Sequence, residues 1–449
     1  MINLPLEYEN RMKKLLGEDF AAYKNELENP PVKAFRVNTD KISLEEFEKI
    51  NVFSNNKIPY VENGFYLEYD KIGNHPYHHA GLIYVQEPAA MAPAECIDIN
   101  PNWRVLDMCA APGGKSTQIK NKLGERGVLV SNEIIPSRCK ILTGNIERLG
   151  LHNAVTTCME SGKLATVFAN CFDMVMVDAP CSGEGMFRKE ETAVSEWSES
   201  NVLMCAKRQA EILDNAVCTL KSGGYIIYAT CTFSLEENEM TVDAFLKRHP
   251  DFEIIPVNDR VKKYTSDGIC FEGCECQNIH FARRFYPHKA KGEGQFMAVL
   301  HHKSEEAETA VIKPITAKTD KTVTEFLEDT LVNYNPDFVT TYNGNPVYYN
   351  NQLPIRDGQA FCCGITIGEI RKNRILPHHQ FFTALGNEFK RKINLTADSN
   401  EIIKYLHGEE IDADCENGWA AVLVDGFPLG GAKVVNGRAK NHYPKGLRK

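Results

Sequence analysis

The spacing of apolar residues changes several times along the chain, and each change marks an element. Residues 4 to 28 place Leu4, Tyr8, Met12, Leu15, Leu16, Phe20, Tyr23 and Leu27 at helical intervals, until Pro30 and Pro31 stop the run. A short strand (34–37), a helix (44–50) and strand-like pieces over 58–69 follow, the order of a small α/β module. Its aromatics Tyr60, Phe65, Tyr66 and Tyr69 suit core and sheet-face positions better than base-stacking platforms. Gly81 to Met91 leads into a second unit, with a helix expected after Pro88. From 103 to 300 the pattern alternates. Apolar runs at 104–107, 128–133, 154–158, 172–177 and 224–230 read as buried strands, and helices are expected near 116–123, 137–149, 201–220 and 236–248. Regular alternation predicts right-handed crossovers and a largely parallel, doubly wound sheet. Residues 302–321 are charged, with few large apolar side chains, and read as a linker. After an intermediate region (322–389), residues 390–449 alternate short strands with glycine turns, which predicts a small β-barrel. The expected organisation is therefore 1–80, 81–301, the linker, 322–389 and 390–449.

Composition sharpens this outline without redrawing it. The 449 residues suffice for two or three domains, and 43% hydrophobic with 25% charged content is that of a soluble globular protein. No apolar run reaches the length of a membrane span, and the amino terminus lacks a signal-peptide core. Fifteen cysteines without a leader predict reduced thiols in a cytoplasmic protein, not a disulfide framework. The net charge of −9 does not advertise a nucleic-acid binder, yet Gly426 to Lys449 holds six Lys or Arg and no acid, a local patch suited to phosphates.

Three stretches carry candidate chemistry. In FDMVMVDAPCSGEGMFRK a buried strand ends on Asp178, Pro180 stops the ladder, and Cys181 follows at once. Carboxylate and thiol are thus held at the carboxyl end of a strand, where open α/β sheets place their ligands. In VLDMCAAPGGKST, Gly113 and Gly114 permit a tight turn and close approach to a ligand. It is not a Walker A loop, because Cys109 stands where the first glycine is needed, and the G-x-G-x-x-G spacing is absent too. Such a loop suits a small charged nucleoside ligand, and Glu133, ending the next strand, suits ribose hydroxyls. In YIIYATCTFSLEENE, Cys231 sits at the exit of another buried strand. If those strands are neighbours, both thiols face one cleft together with Asp178 and the glycine loop. Cys270, Cys274, Cys276 and His280 form C-x3-C-x-C-x3-H, but no C-x2-C knuckle is present and no metal is expected. Cys362 and Cys363 read as core packing, while Gly364 to Phe381 mixes a β-like run with Arg371, Lys372 and Arg374.

VLDMCAAPGGKSTQI, the acidic Glu133, DAPCSGEGMFRK and YATCTFSLEENE resemble the motifs of the S-adenosylmethionine-dependent RNA 5-methylcytosine methyltransferases, the Sun/nucleolar-protein group. RFYPHKAKGEGQF and the ending NHYPKGLRK are similar to its RsmF-type members, which extends the resemblance over nearly the whole chain. The resemblance implies an α/β fold: a Rossmann-like class I methyltransferase core, an N-terminal α/β module and a PUA-like C-terminal domain. It implies S-adenosylmethionine as cofactor, and rRNA or the small ribosomal subunit as partner, with neither membrane nor DNA involved, for a chain expected to be a monomer. It carries the nucleophile onto Cys231, product release onto Cys181, a base contact onto Asp178, and base orientation or thiolate support onto Lys115. Asp178 would need a raised pKa to act as a proton donor. The cofactor would be held by Cys109, Ala110, Ala111, Pro112, Gly113, Gly114 and Lys115, with Glu133, Arg138 and Asp178, and Glu160 standing for the adenine contact. Its rivals are a tRNA methyltransferase and a non-catalytic assembly factor; DNA enzymes differ in using the Pro-Cys thiol as nucleophile.

Overall fold

The computed structural model of the chain describes residues 4–304, 320–350, 352–353 and 355–448. Most of the expected linker, 305–319, lies outside the described residues. The helix expected over 4–28 is two helices, Leu6–Leu16 and Phe20–Glu26. Gly17 separates them at φ +55°, a left-handed conformation that favours glycine and ends the first helix. Strands β1 (Ala34–Val37), β2 (Gly64–Tyr66) and β3 (Ile83–Val85) then form an antiparallel sheet in the order β2-β1-β3. Between β1 and β2, helix Leu44–Ile50 starts from a capping box of Ser43 and Glu46. The helix expected after Pro88 is a 3-10 helix over Ala89–Glu95, with Pro93 inside it. Proline has no N–H to give an α-helical ladder.

The central sheet contains β4 (Arg104–Asp107), β5 (Val128–Asn132), β6 (Ala154–Thr157), β7 (Phe172–Asp178) and β8 (Leu220–Thr230). They run parallel in the order β8-β7-β4-β5-β6. After β4 the chain steps to β5 on one side and later returns to β7 on the other. The carboxyl ends of β4 and β7 therefore border the crevice where such sheets bind ligands. Strand interiors such as Val105, Leu106, Val130 and Val175 are wholly buried, as parallel strands covered by helices on both faces must be.

The sheet extends beyond the alternating pattern on both sides. Strands β9 (Phe252–Ile255), β10 (Ser266–Asp267), β11 (Arg283–Phe285) and β12 (Gln295–His302) add an antiparallel edge next to β8. The pairing Phe296↔Thr230 brings the start of β12 beside the exit of β8. On the far edge Cys362–Cys363 pairs with β6, so Cys363 packs into the core of the central sheet. The helix expected from 236 begins instead at Glu239, because residues 235–238 turn inward toward the crevice.

At the carboxyl end five strands form one curled sheet, a half-barrel, in the order Lys392–Leu395, Gly418–Val424, Phe427–Val435, Arg438–Asn441 and Ile411–Asp412. Its inner face does not stand alone. Phe35, Phe47, Phe53 and Phe65 of the N-terminal module share one core cluster with Tyr405, Val422, Leu429 and Tyr443.

Candidate active site

The first wall of the crevice is the turn after β4. Asp107 closes the strand fully buried, with Oδ2 accepting a 2.6 Å hydrogen bond from Ser116 Oγ, while Oδ1 has no side-chain partner among the described residues. Burial pushes this carboxyl up to about 7, against the hydrogen bond from Ser116. The loop that follows is held at every step. Ala110 N–H donates to Asn132 O at 2.8 Å, and Gly113 N–H to Ala110 O at 2.8 Å. Arg138 Nη2 donates to Ala111 O at 2.9 Å, and Asn145 Nδ2 to Pro112 O at 2.9 Å. Gly113 has φ +112°, and a Cβ on Gly114 would press to 3.0 Å from Gln86 Cδ. Backbone conformation thus favours glycine at 113, and Gln86, held by Arg36, crowds position 114.

Two side chains brace this loop. Asn132 donates to Met108 O and Met159 O while accepting from Thr157 Oγ1, so it staples the exits of β4, β5 and β6. Arg36, buried in β1, donates to Gly114 O at 2.7 Å, Thr117 Oγ1 at 2.8 Å and Gln86 Oε1 at 2.8 Å. Burial lowers its guanidinium to about 10, and it remains a cation at neutral pH. The N-terminal module therefore sets the position of helix Gly114–Lys120.

The second wall joins the exits of β7 and β8, which are adjacent. Cys181 Sγ lies 3.2 Å from Cys231 Sγ. Lys115 Nζ donates to Asp178 Oδ2 at 2.7 Å. Burial works against the Lys115 ammonium, yet the charge and hydrogen bond of Asp178, together with Cys231 and Asp107, hold its pKa above that of ordinary lysine. Lys115 is a fixed cation, and Asp178 is placed as its acceptor. The sulfur–sulfur contact with Cys231, burial, and the charges of Cys231 and Glu237 hold the Cys181 thiol well above its usual range. Burial, with the carboxylates around it, also pushes Cys109 up, so this third thiol at a strand exit stays protonated.

Glycine again permits the close packing. A Cβ on Gly185 would lie 2.7 Å from Gly294 O and 2.9 Å from Cys231 O, both backbone atoms. Beneath the thiols, Glu184 accepts from Trp197 Nε1 at 2.9 Å and from Phe233 N–H at 2.8 Å. Arg284 pairs with the buried Glu239, donating from Nε to Oε1 at 2.6 Å and from Nη1 to Phe233 O at 2.8 Å. Arg188 donates to Glu293 Oε2 and Glu26 Oε1, both at 2.9 Å, tying the loop after Cys181 to the N-terminal helices.

Of the residues expected from sequence, Cys181, Cys231, Asp178 and Lys115 come together in one crevice with loop 109–115. Glu133 closes β5 nearby, with Oε1 accepting from Ile135 N–H and Oε2 paired with Arg138 at 3.2 Å. Glu160 is exposed just before helix Ser161–Val167, with no cap bond from its side chain. Among the described residues no group of three or more His, Cys, Asp or Glu is arranged to hold a metal ion, so Cys270, Cys274, Cys276 and His280 do not converge. Sequence reasoning missed Asp107, Asn132, Arg36, Glu184 and Glu237. Asp107 alone had a legible signal, as a strand-end aspartate like Asp178 (VLD against MVD).

A five-stranded parallel sheet with a glycine loop after its first strand, an acid after its second and reactive groups at the switch point is the framework of a Rossmann-like methyltransferase. Three family models match in succession. They are the N-terminal domain of 16S rRNA methyltransferase RsmF over 4–88, 16S rRNA methyltransferase RsmB/F over 94–301, and the methyltransferase RsmF PUA domain over 392–449. The Ribosomal RNA small subunit methyltransferase F of Vibrio vulnificus is 30% identical over 99% of this chain and 98% of its own length. That of Vibrio campbellii is 32% identical over 96% and 93%. A methyltransferase homologue from Pyrococcus horikoshii superposes with a TM-score of 0.59 at 29% identity, over 67% of this chain and 96% of its own. NSun6 from the same organism, solved with SFG, shares the fold with a TM-score of 0.57 at 21% identity, over 67% and 99%. The chain belongs to the RsmB/F family of rRNA methyltransferases, in its RsmF-type form with N-terminal and PUA domains.

Proposed function

We propose that the protein methylates carbon 5 of a cytosine in small-subunit (16S) rRNA, using S-adenosylmethionine and a covalent cysteine adduct. The observation that carries this reading is the 3.2 Å approach of Cys181 and Cys231 beside the Lys115–Asp178 ion pair. Carbon 5 of cytosine is a weak nucleophile. A thiolate added at carbon 6 makes carbon 5 electron-rich, as an enamine is. Cys231, with the Lys115 ammonium within electrostatic reach, is the attacking sulfur. Asp178, anchored by Lys115, accepts a hydrogen bond from the exocyclic amine of the base as the adduct forms. Release breaks the C5–H and C6–S bonds. Once carbon 5 is methylated its proton leaves to solvent water with Cys181 assisting, the C5–H bonding pair closes the C5=C6 double bond, and the C6–S pair returns to Cys231.

The cofactor supplies an electrophilic methyl group on a sulfonium. The residues around the β4 and β5 exits fit it: the buried carboxyl of Asp107, whose Oδ1 has no side-chain partner among the described residues, a tight turn through Gly113 and Gly114, and the acidic Glu133 at the next strand end. Cys109 to Lys115, Glu133, Arg138 and Asp178 would hold it, and Glu160 would border its adenine side. A base reaches reactive groups at strand exits only after leaving a helix or stack, so the target cytosine is flipped or single-stranded.

The test is in vitro methylation of 16S rRNA, of small subunits and of tRNA with the purified protein, mapped by bisulfite sequencing. Protected cytosines in 16S rRNA and none in tRNA are expected. Methylation confined to tRNA, or at another atom of the base, contradicts the reading.

A further inference from the structure

Two thiols in contact share a difficulty: one must be the nucleophile while the other keeps its proton, although both lie at the exits of neighbouring strands. The charges around them are arranged unequally. On one side is Lys115, whose ammonium is within electrostatic reach of Cys231. On the other is Glu237, fully buried, from the inward turn before helix Glu239–Arg248. Its Oε1 accepts from Ser182 Oγ at 2.5 Å and Ser234 Oγ at 2.9 Å. Its Oε2 accepts from Ser182 N–H and Gln209 Nε2, each at 2.9 Å. No ion pair to Glu237 occurs among the described residues, so four neutral donors hold an uncompensated buried carboxylate against the residue that follows Cys181. Such groups are costly to bury, and a purely structural anchor does not need the charge.

We propose that Glu237 is the positioning residue of the two-cysteine site, acting in two ways. Through Ser182 it fixes the loop that brings Cys181 Sγ against Cys231 Sγ. Through its charge it keeps the proton on Cys181, whose S–H donates to the sulfur of Cys231 both before attack and on departure from carbon 6. Around Cys181 the groups that bear on this proton are Cys231, Glu237, the Tyr228 hydroxyl and the Gly183 N–H. Around Cys231 they are Lys115, Cys181 and Cys205. Among the described groups that interact with either sulfur Lys115 is a cation, and it lies on the Cys231 side. Ser182 Oγ also lies 2.8 Å from Thr232 Oγ1, which locks the two loops to each other.

The inference rests on the covalent reading of the site, and the experiment separates the two. Glu237→Gln keeps the shape but removes the charge, and it turns an amide N–H group toward donors that the carboxylate had accepted from. In the full-length protein, turnover on 16S rRNA is expected to fall about ten-fold or more. A covalent enzyme–RNA band should accumulate on a denaturing gel, as in Cys181→Ala. KM for RNA and cofactor affinity should stay within about two-fold of wild type. Glu237→Asp, which keeps the charge, should recover part of the turnover. Ser182→Ala, which deletes only the hydroxyl links, should accumulate an intermediate amount of adduct. Wild-type turnover in Glu237→Gln overturns the proposal. So does loss of turnover with no adduct in both Glu237→Gln and Ser182→Ala while Cys181→Ala does trap one. If Cys181→Ala itself traps nothing, it is the covalent reading that fails.

Discussion

Single residues in this crevice work under different constraints, and each constraint gives its own test. Gly185 is fixed by backbone on both sides. Gly185→Ala drives a Cβ against Gly294 O and Cys231 O, neither of which can rotate away. We expect the fold to survive, with turnover reduced about ten-fold or more because the proposed nucleophile Cys231 is displaced, measured as kcat beside an unchanged far-ultraviolet spectrum. Asp107 is constrained by charge. Its carboxyl titrates near 7 in the folded chain against an ordinary 3.8, so the folded state holds the proton more tightly than the unfolded one. Stability from this group is therefore fully present below about pH 4 and is lost as pH rises through 7, by about 4 kcal/mol at most. Asp107→Asn lacks that loss. The melting temperature of the cofactor-free variant relative to wild type should rise from pH 5 to pH 8, and a constant difference contradicts the assignment. Cys181 and Cys231 were legible in the sequence because thiols at two strand exits are conspicuous. Glu237 was not, because a glutamate in LEENE reads like the first turn of a solvated helix.

At the level of elements, what the apolar period encodes was recovered and what depends on distant partners was not. Strands β4 to β8 are continuous buried runs and announce themselves. The antiparallel edge of β9 to β12 and the pairing of Cys362–Cys363 with β6 depend on long-range pairing that a local window cannot register. Likewise the glycine loop after β4 was evident, but the side chain that clamps its helix lies in β1, in another module. Nothing in the short strand 34–37 singles out Arg36; it is buried because three acceptors around Gly114 take its donors. Arg36→Ala leaves those acceptors unmatched, a cost of about 1–3 kcal/mol. It should loosen helix Gly114–Lys120 and weaken S-adenosylmethionine binding by about ten-fold, read by calorimetric titration. Unchanged affinity would show that the N-terminal module does not set the cofactor loop.

On the scale of the whole molecule, the two ends of the chain fold against each other. The phenylalanines of the N-terminal module and the inner face of the half-barrel make one core, and Tyr77 OH donates to Asp425 Oδ2 at 2.9 Å across the junction. Removing residues 390–449 would therefore expose a hydrophobic core as well as remove basic residues, and charge substitutions are the cleaner probe of RNA binding. Lys433, Lys440 and Lys445 are exposed on the acid-free end. Replacing Lys440 and Lys445 with alanine should lower the salt dependence of RNA binding by roughly 0.7–0.9 in log–log slope for each phosphate no longer neutralised, with melting temperature unchanged. An unaltered slope would remove this surface from the RNA interface. No described helix is long and apolar enough to cross a membrane.

The two sulfurs at the crevice admit the most direct test of all. Purified Cys181→Ala is incubated with 16S rRNA and S-adenosylmethionine, beside Cys231→Ala and the double variant, and run on a denaturing gel. A slow protein–RNA band in Cys181→Ala alone is expected, with no methyl transfer by Cys231→Ala and its cofactor affinity intact. A band that persists when Cys231 is absent, or active Cys231→Ala, contradicts the assignment of Cys231 as the nucleophile.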